Sequence, residues 1–167
     1  MEFKAWPKII RIENKRKAIF TEKIDGTNAC IIIDEKGDIG CQSRTRLITP
    51  EDDNFGFARW VYSNKDELLK LGEGHHFGEW WGLGIQRGYN QKEKRFSLFN
   101  TRRWGVHNPS TPSCVDVVPI LPVSTIEEAT QFLKDVGSIA APGWMRPEGA
   151  VMYEPDTDTC FKIIIDK

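Results

Sequence analysis

Glu22-Lys23-Ile24-Asp25-Gly26-Thr27-Asn28 stands between two strand-like runs, and its reading decides the fold. The runs, at residues 18–23 with Ile19 and Phe20 and at residues 30–33 with three isoleucines, flank a turn built on Asp and Gly. A lysine at the end of a strand, beside a tight turn, differs from one on a solvated helix. To act as a nucleophile its amine must lose a proton, although a free lysine keeps it up to a pH of about 10.4. Cationic neighbours or a bound metal would ease that loss. Asp25 alone would oppose it, because a carboxylate stabilises the ammonium. A useful Asp25 must therefore give its charge to a divalent ion. Gly26 lets the backbone turn and approach a ligand. Taken alone, the string is also an ordinary charged β-turn, so the rest of the chain has to decide.

Working outward, further strand-like runs lie at 39–43, 74–81, 96–100, 149–153 and 160–165. Most are rich in Ile, Val, Phe or Trp and are bounded by turn residues. Asp34-Glu35-Lys36-Gly37 reads as a hairpin turn, and residues 156–158 mark another. Helical signals are fewer. Thr49-Pro50-Glu51-Asp52 looks like a helix start, followed by Phe57, Trp60 and Val61 at helical spacing. Residues 65–71 form a short second candidate. Ser124-Thr125-Ile126-Glu127-Glu128 opens a third, with Ala129, Phe132, Leu133 and Val136 along one face. Asp52-Asp53-Asn54 reads as a helix cap rather than a metal site. Patterning is weak across 101–123, and residues 108–113 and 140–147 read as loops. Strands, then a helix, then closing strands predict an α+β fold with mainly antiparallel sheets and flanking helices.

The 167 residues suit a single domain over 1–167. Hydrophobic residues make up 40% and charged residues 28%, enough for a globular core. No apolar run approaches the roughly 18 residues that would span a bilayer. Residues 1–17 lack the continuous apolar segment of a signal peptide, so a cytoplasmic monomer that uses no membrane is expected. The net charge of −1, from 23 basic and 24 acidic side chains, does not announce a nucleic-acid binder. A local basic face stays open, because Lys15, Arg16 and Lys17 cluster, as do Lys92, Lys94, Arg95, Arg102 and Arg103. Solvated surface charge explains either cluster equally well. Cys30, Cys41, Cys114 and Cys160 form no C-x-x-C pair and read as buried free thiols. His75-His76 has no Cys or His partner at metal-ligand spacing.

Further strings follow the first in order. Gly40-Cys41-Gln42-Ser43-Arg44-Thr45-Arg46 ends a hairpin with two arginines. Phe77-Gly78-Glu79-Trp80-Trp81-Gly82 puts an acid inside an aromatic strand. Arg95-Phe96-Ser97-Leu98-Phe99, Pro147-Glu148-Gly149-Ala150-Val151-Met152 and Phe161-Lys162-Ile163-Ile164-Ile165 complete the set. The set resembles the nucleotidyltransferase superfamily of ATP-dependent DNA ligases, RNA ligases and mRNA capping enzymes. Within it, K-x-D-G-x-N with the later F-G-E-x-x-G-x-G-I-Q is similar to the bacteriophage type 2 RNA ligases and the RNA-editing ligases. The resemblance covers residues 21–162. Any one string is weak; their order and spacing together are specific.

The resemblance implies a nucleotidyltransferase (ATP-grasp-like ligase adenylation) domain and a role for each matching residue. Lys23 would take AMP from ATP as a covalent adduct, with Glu22 beside it among the nucleotide contacts. Asp25 would hold a hydrated Mg²⁺ or Mn²⁺, with Glu148 and Glu79 completing the metal carboxylates. Asn28 marks the RNA-ligase types. Arg44 would contact the nucleotide or the RNA end, with Arg46 the alternative on the same strand face. Glu79 would bind the adenosine ribose, Phe99 would stack on adenine, and Lys162 would contact the α-phosphate. Lys23, Asp25, Glu148 and Lys162 would thus be catalytic.

Elementary chemistry agrees with these roles. Aromatic stacking on a base contributes roughly 1–3 kcal/mol. A ribose hydroxyl needs an acceptor such as Glu79. Displacement at the α-phosphate needs positive charge on its oxygens. Trp80, Trp81 and Phe77 are expected as core or cavity wall.

Two departures stand out. The family closes on K-x-K, whereas Ile164 holds the second position here, leaving Lys162 to do both jobs or Lys167 to substitute. Ligases commonly carry a further domain after the last string, and no such appendage is expected here. The implied partners are RNA 5′-phosphate and 3′-hydroxyl ends, and an RNA/DNA hybrid nick. The competing readings are a DNA ligase, a GTP-using capping-type enzyme, and a non-catalytic nucleotide- or RNA-binding module. Asn28 and the F-G-E string argue against the first.

Overall fold

Period-two alternation of side chains builds two sheets, and the space between them is what matters for function. The computed structural model describes residues 1–7, 9, 11 and 15–165. In chain order the elements are β1 (Ile19–Lys23), β2 (Thr27–Ile33), β3 (Ile39–Ser43), β4 (Leu47–Ile48), α1 (Phe57–Ser63), α2 (Lys65–Leu68), β5 (Gly74–Gly82), β6 (Lys94–Leu98), β7 (Asp116–Val117), α3 (Ile126–Val136), β8 (Gly149–Glu154) and β9 (Thr159–Ile164). The larger sheet runs β4-β3-β2-β5-β6-β7 and the smaller β1-β8-β9. All pairings are antiparallel except β6 with β7. This is the α+β class that the strand pattern predicts.

Each sheet has its own core. Ala29, Ile31 and Ile33 of β2, Trp80 of β5 and Phe96 of β6 pack on Phe57 and Val61 of α1. Phe20 of β1 and Ala150 of β8 pack on Ala129 and Leu133 of α3. A third cluster, Ile24, Trp81, Tyr89, Val118 and Ala141, lies near the first turn. Trp80 and Trp81 are fully buried, as expected.

Several boundaries move for identifiable reasons. Thr49 and Asp52 exchange main-chain hydrogen bonds and close a turn, so no helix starts there. Instead Asp53 accepts from the N–H groups of Ala58 and Arg59 and holds the first turn of α1. Of the Asp52–Asn54 string, Asp53 thus serves the helix start, as read, although the N-cap position itself is Gly56. α3 starts as predicted: Thr125 Oγ1 accepts from Glu128 N–H at 3.1 Å, and Ser124 N–H donates back to Glu128 at 2.8 Å. β6 stops at Leu98, leaving Phe99 just beyond the ladder. Val136 stays exposed at the end of α3.

The basic clusters are largely paired. Arg16 Nε lies 3.0 Å from Asp156 and Lys15 Nζ 3.6 Å from Glu154, tying the segment before β1 to the β8–β9 hairpin. Arg95 Nε lies 3.0 Å from Asp116, and Arg103 covers the Trp104 ring. Cys30 and Cys41 are buried, and burial pushes their thiols up to about 11 and about 12. Cys114 and Cys160 correct the expectation of burial: Cys114 is half-buried, and Cys160 is exposed because it lies on the edge strand β9 and borders the same open cavity as Lys162. Among the described residues no helix is long and apolar enough to cross a membrane.

Candidate active site

Alternation along β1 sorts its residues between two faces. Phe20 and Glu22 turn to the α3 side. Ile19, Thr21 and Lys23 turn to the other, where they line a cavity of about 760 Å³. Cavities for nucleotide-sized ligands span roughly 300–1,000 Å³. Register carries the same face across the small sheet: Thr21 lies opposite Val151, and Val151 opposite Lys162. The large sheet supplies the facing wall, where Asn28 of β2 pairs with Glu79 of β5. Lys23, Asn28, Arg44, Glu79, Phe99 and Lys162 all border this one cavity.

Lys23 sits at the last pair of the β1–β8 ladder, opposite Gly149. Its Nζ donates to Glu148 Oε2 at 2.9 Å, and both side chains are about a quarter exposed or less, 28% and 19%. A residue 125 positions away in sequence thus meets the proposed nucleophile. Gly26 does not adopt the left-handed backbone. Its lack of a side chain matters because the main chain of Trp80 and the Cβ of Trp81 stand where its own Cβ would be. The glycine therefore lets the β1–β2 turn rest against β5, rather than against a ligand as its place beside Lys23 suggests.

Glu22 is a correction. It borders the cavity, yet it is 1% exposed and its carboxylate accepts from Ser138 Oγ at 2.6 Å, Ile139 N–H at 2.7 Å and Ala140 N–H at 2.9 Å. Its carboxylate is engaged by the 138–140 loop, so any nucleotide contact at this position is left to its main chain. Asp25 also differs from expectation. It lies outside the cavity lining, and its carboxylate faces Arg87 Nε at 3.4 Å.

Glu79 accepts from the N–H of Gly26 at 3.0 Å. Burial pushes its carboxyl up to about 7, against the opposing pull of Lys23 and that hydrogen bond. With the folded value above the unfolded one, the folded state holds the proton longer. Stability from this residue is present in full below about pH 4.5 and declines as pH rises to about 7, by a total on the order of 3 kcal/mol. Glu79→Gln is expected to remove this slope and to melt higher than the parent at pH 8. Melting curves of both proteins across pH 4.5–8 check it.

The metal assignment to Asp25, Glu79 and Glu148 is not assembled as a cage. Among the described residues no group of three or more His, Cys, Asp or Glu side chains could hold an ion. Glu148 is engaged by Lys23, Asp25 by Arg87, and Glu79 by a main-chain donor.

Between the two arginines the structure separates the roles. Residues 44–46 form a turn past β3, so the shared strand face does not exist. Arg46 pairs with Asp52 at 3.0 Å and donates to the carbonyls of Asp52 and Asp53. Arg44 is exposed and borders the cavity. Phe99 and Phe77 are both near half exposed on the cavity wall, 44% and 54%. Ile164, at the missing lysine's position, lies opposite Gly149, and Lys167 falls outside the described residues.

One residue escaped the sequence reading. Tyr89 Oη accepts the N–H groups of Asp25 and Glu148, each at 3.1 Å. The only signal for it was the glycine-studded run after Glu79, which has no period and reads as loop.

A sequence model of the RNA ligase family matches residues 16–164, nearly the whole chain. The chain belongs to the RNA ligase family. Its fold is shared with solved Naegleria gruberi RNA ligase structures. A lysine-to-alanine variant with ATP and Mn superposes at a TM-score of 0.64 and 23% identity, over 91% of this chain and 50% of that one. A glutamate-to-alanine variant with AMP and Mn gives 0.63 and 24%, over 91% and 51%. The enzyme with PPi gives 0.60 and 20%, over 91% and 50%. This RNA ligase-family chain thus spans about half the length of those structures, and at such identity the likeness shows the fold alone. No curated protein matches the chain.

Proposed function

We propose that this chain is the nucleotidyltransferase unit of an ATP-dependent RNA ligase, with Lys23 carrying AMP. The observation behind the reading is a single cavity. Lys23 lines it while held 2.9 Å from Glu148, and Glu79, Phe99, Arg44 and Lys162 border the same space. Lys23 Nζ attacks the α-phosphorus of ATP, the bond to pyrophosphate breaks, and a phosphoramidate forms. The ammonium proton must leave first; Glu148, 2.9 Å away, stabilises the ammonium, so its charge would have to be met by the nucleotide's divalent ion before the amine loses that proton to water. AMP next passes to an RNA 5′-phosphate and frees the lysine. A 3′-hydroxyl then attacks that phosphate and AMP departs.

Lys162 and Arg44 bring positive charge to the phosphates. Phe99 offers a ring face to the base and Glu79 an acceptor to the ribose. Mg²⁺ or Mn²⁺ supplies further charge when bound. With no three-ligand cage among the described residues, such an ion would be held mainly by phosphate oxygens and water, and Glu148 is the carboxylate best placed to meet it. The Naegleria structures with ATP or AMP and Mn support this choice of ligands. The K-x-D-G-x-N and F-G-E strings support a type 2-like enzyme acting on RNA or hybrid nicks.

Intact-mass measurement after incubation with ATP and Mg²⁺ tests the reading. A gain of one AMP, reversed by pyrophosphate, is expected. ATP binding with no gain would make this a binding module; a gain from GTP alone would move it to the capping class. Faster sealing of an all-DNA nick than of one with a 3′-OH RNA strand would make it a DNA ligase. Phe99→Ala is expected to raise the KM for ATP about ten-fold through lost stacking, read from labelling rates against ATP concentration.

A further inference from the structure

The chain between β5 and β6 takes a costly route. Gln86, Tyr89 and Asn90 hold φ at 49°, 50° and 57°, a conformation that side-chain-bearing residues rarely adopt. Such backbone persists only where its surroundings enforce it. Here the route delivers Tyr89 to a fully buried position, 1% exposed. Its ring stacks on Trp144 at 5.6 Å and meets Trp81 edge-on at 5.7 Å. Its hydroxyl oxygen then accepts two main-chain N–H groups, those of Asp25 and Glu148.

Those two donors are not arbitrary. The β1–β8 ladder ends at the Lys23–Gly149 pair. Glu148 stands just before Gly149, and Asp25 two residues beyond Lys23. Past the last rung, the strands no longer bond each other there; both bond Tyr89. Burial pushes the phenol up to about 12, so it stays neutral at working pH and its part is geometric.

We infer that Tyr89 is a positioning residue, whose hydroxyl joins the two main-chain ends carrying the nucleophile and its carboxylate partner and so sets the Lys23–Glu148 reach. It touches no reacting atom. The inference deepens the proposed function and rests on Lys23 being the nucleophile. It also explains why the glycine-studded run follows Glu79: the loop shapes the site from beneath rather than touching the nucleotide.

Tyr89→Phe keeps the ring packing and removes the clamp. Two measurements separate this idea from the ligase reading. Amide hydrogen exchange by NMR needs no activity. Protection at Asp25 and Glu148 should be lost in the variant, while the amides of β2 and β5 exchange as in the parent. In labelling assays the rate at saturating ATP should fall ten-fold or more, with the KM for ATP within about two-fold. Unchanged exchange at both amides would overturn the clamp. A KM that rises along with the loss of rate, or general loss of protection across β2 and β5, would make Tyr89 a mere core support. A parent protein that gains no AMP would sink the ligase reading, and the exchange result would still decide the clamp.

Discussion

Lys23→Ala is expected to yield a folded protein that binds ATP and takes up no AMP. Lys23 lies on a cavity face rather than in a core, and its amine makes a bond to Glu148 alone among the described contacts. Removing it leaves a carboxylate that is 19% exposed and reachable by water, so stability should change by about 1 kcal/mol or less. The chemistry has no such substitute. Glu148, Glu79 and Asp25 are not amine nucleophiles, and Lys162 lies on β9, across β8 from β1. Labelling with α-labelled ATP should drop below detection, at least about 10⁴-fold. Lys23→Arg should be as inactive, because a guanidinium keeps its charge but not a free electron pair at working pH. Label that survives either change would move the nucleophile elsewhere.

Glu22→Ala, one residue away, should do the reverse: lose stability first. Ser138 Oγ–H, Ile139 N–H and Ala140 N–H all donate to this one carboxylate in a buried place. A buried donor left unpaired costs about 1–3 kcal/mol, so three would cost about 3–9 kcal/mol; because the Ile139 and Ala140 donors are only part-buried, a loss toward the lower end of that range is expected. Typical domains hold about 5–15 kcal/mol in total, so much of the variant should be unfolded or near it. The loop that loosens leads directly to Trp144, which stacks on Tyr89. Urea unfolding measures the loss. Glu22→Gln, which keeps one acceptor oxygen, should fall between parent and alanine variant. A stable Glu22→Ala protein with a raised KM for ATP would restore Glu22 to the nucleotide contacts and sink the anchor assignment.

These neighbours show what sequence could and could not disclose. Strands with clear alternation or long apolar runs were legible almost to the residue, as at 39–43. The capping box before α3 was legible because its parts are local. Strands of two residues, such as β4 and β7, carry no period and were missed. The opposite duties of Glu22 and Lys23 were not legible either, since strand faces become functional only once the partners at 138–140 and 148 are known. The start of α1 was misplaced because Thr49-Pro50-Glu51-Asp52 mimics a cap that Asp53 provides. The family resemblance, in contrast, names Lys23, Asn28, Arg44, Glu79, Phe99 and Lys162, which border one cavity, because the order of the strings is itself long-range information; Asp25, named with them, lies outside it. What it lacked was Tyr89, whose importance lies in two backbone bonds.

β1 is made more than a hundred residues before its sheet partners β8 and β9. A ribosome will already have delivered every strand of the large sheet while Lys23 still has neither its carboxylate nor a sheet to sit in. The small sheet therefore closes as a late, non-local event. On the proposed function, a nascent chain would present the wall bearing Phe99 long before Lys23 met Glu148, and no AMP uptake would be expected until the closing hairpin was made.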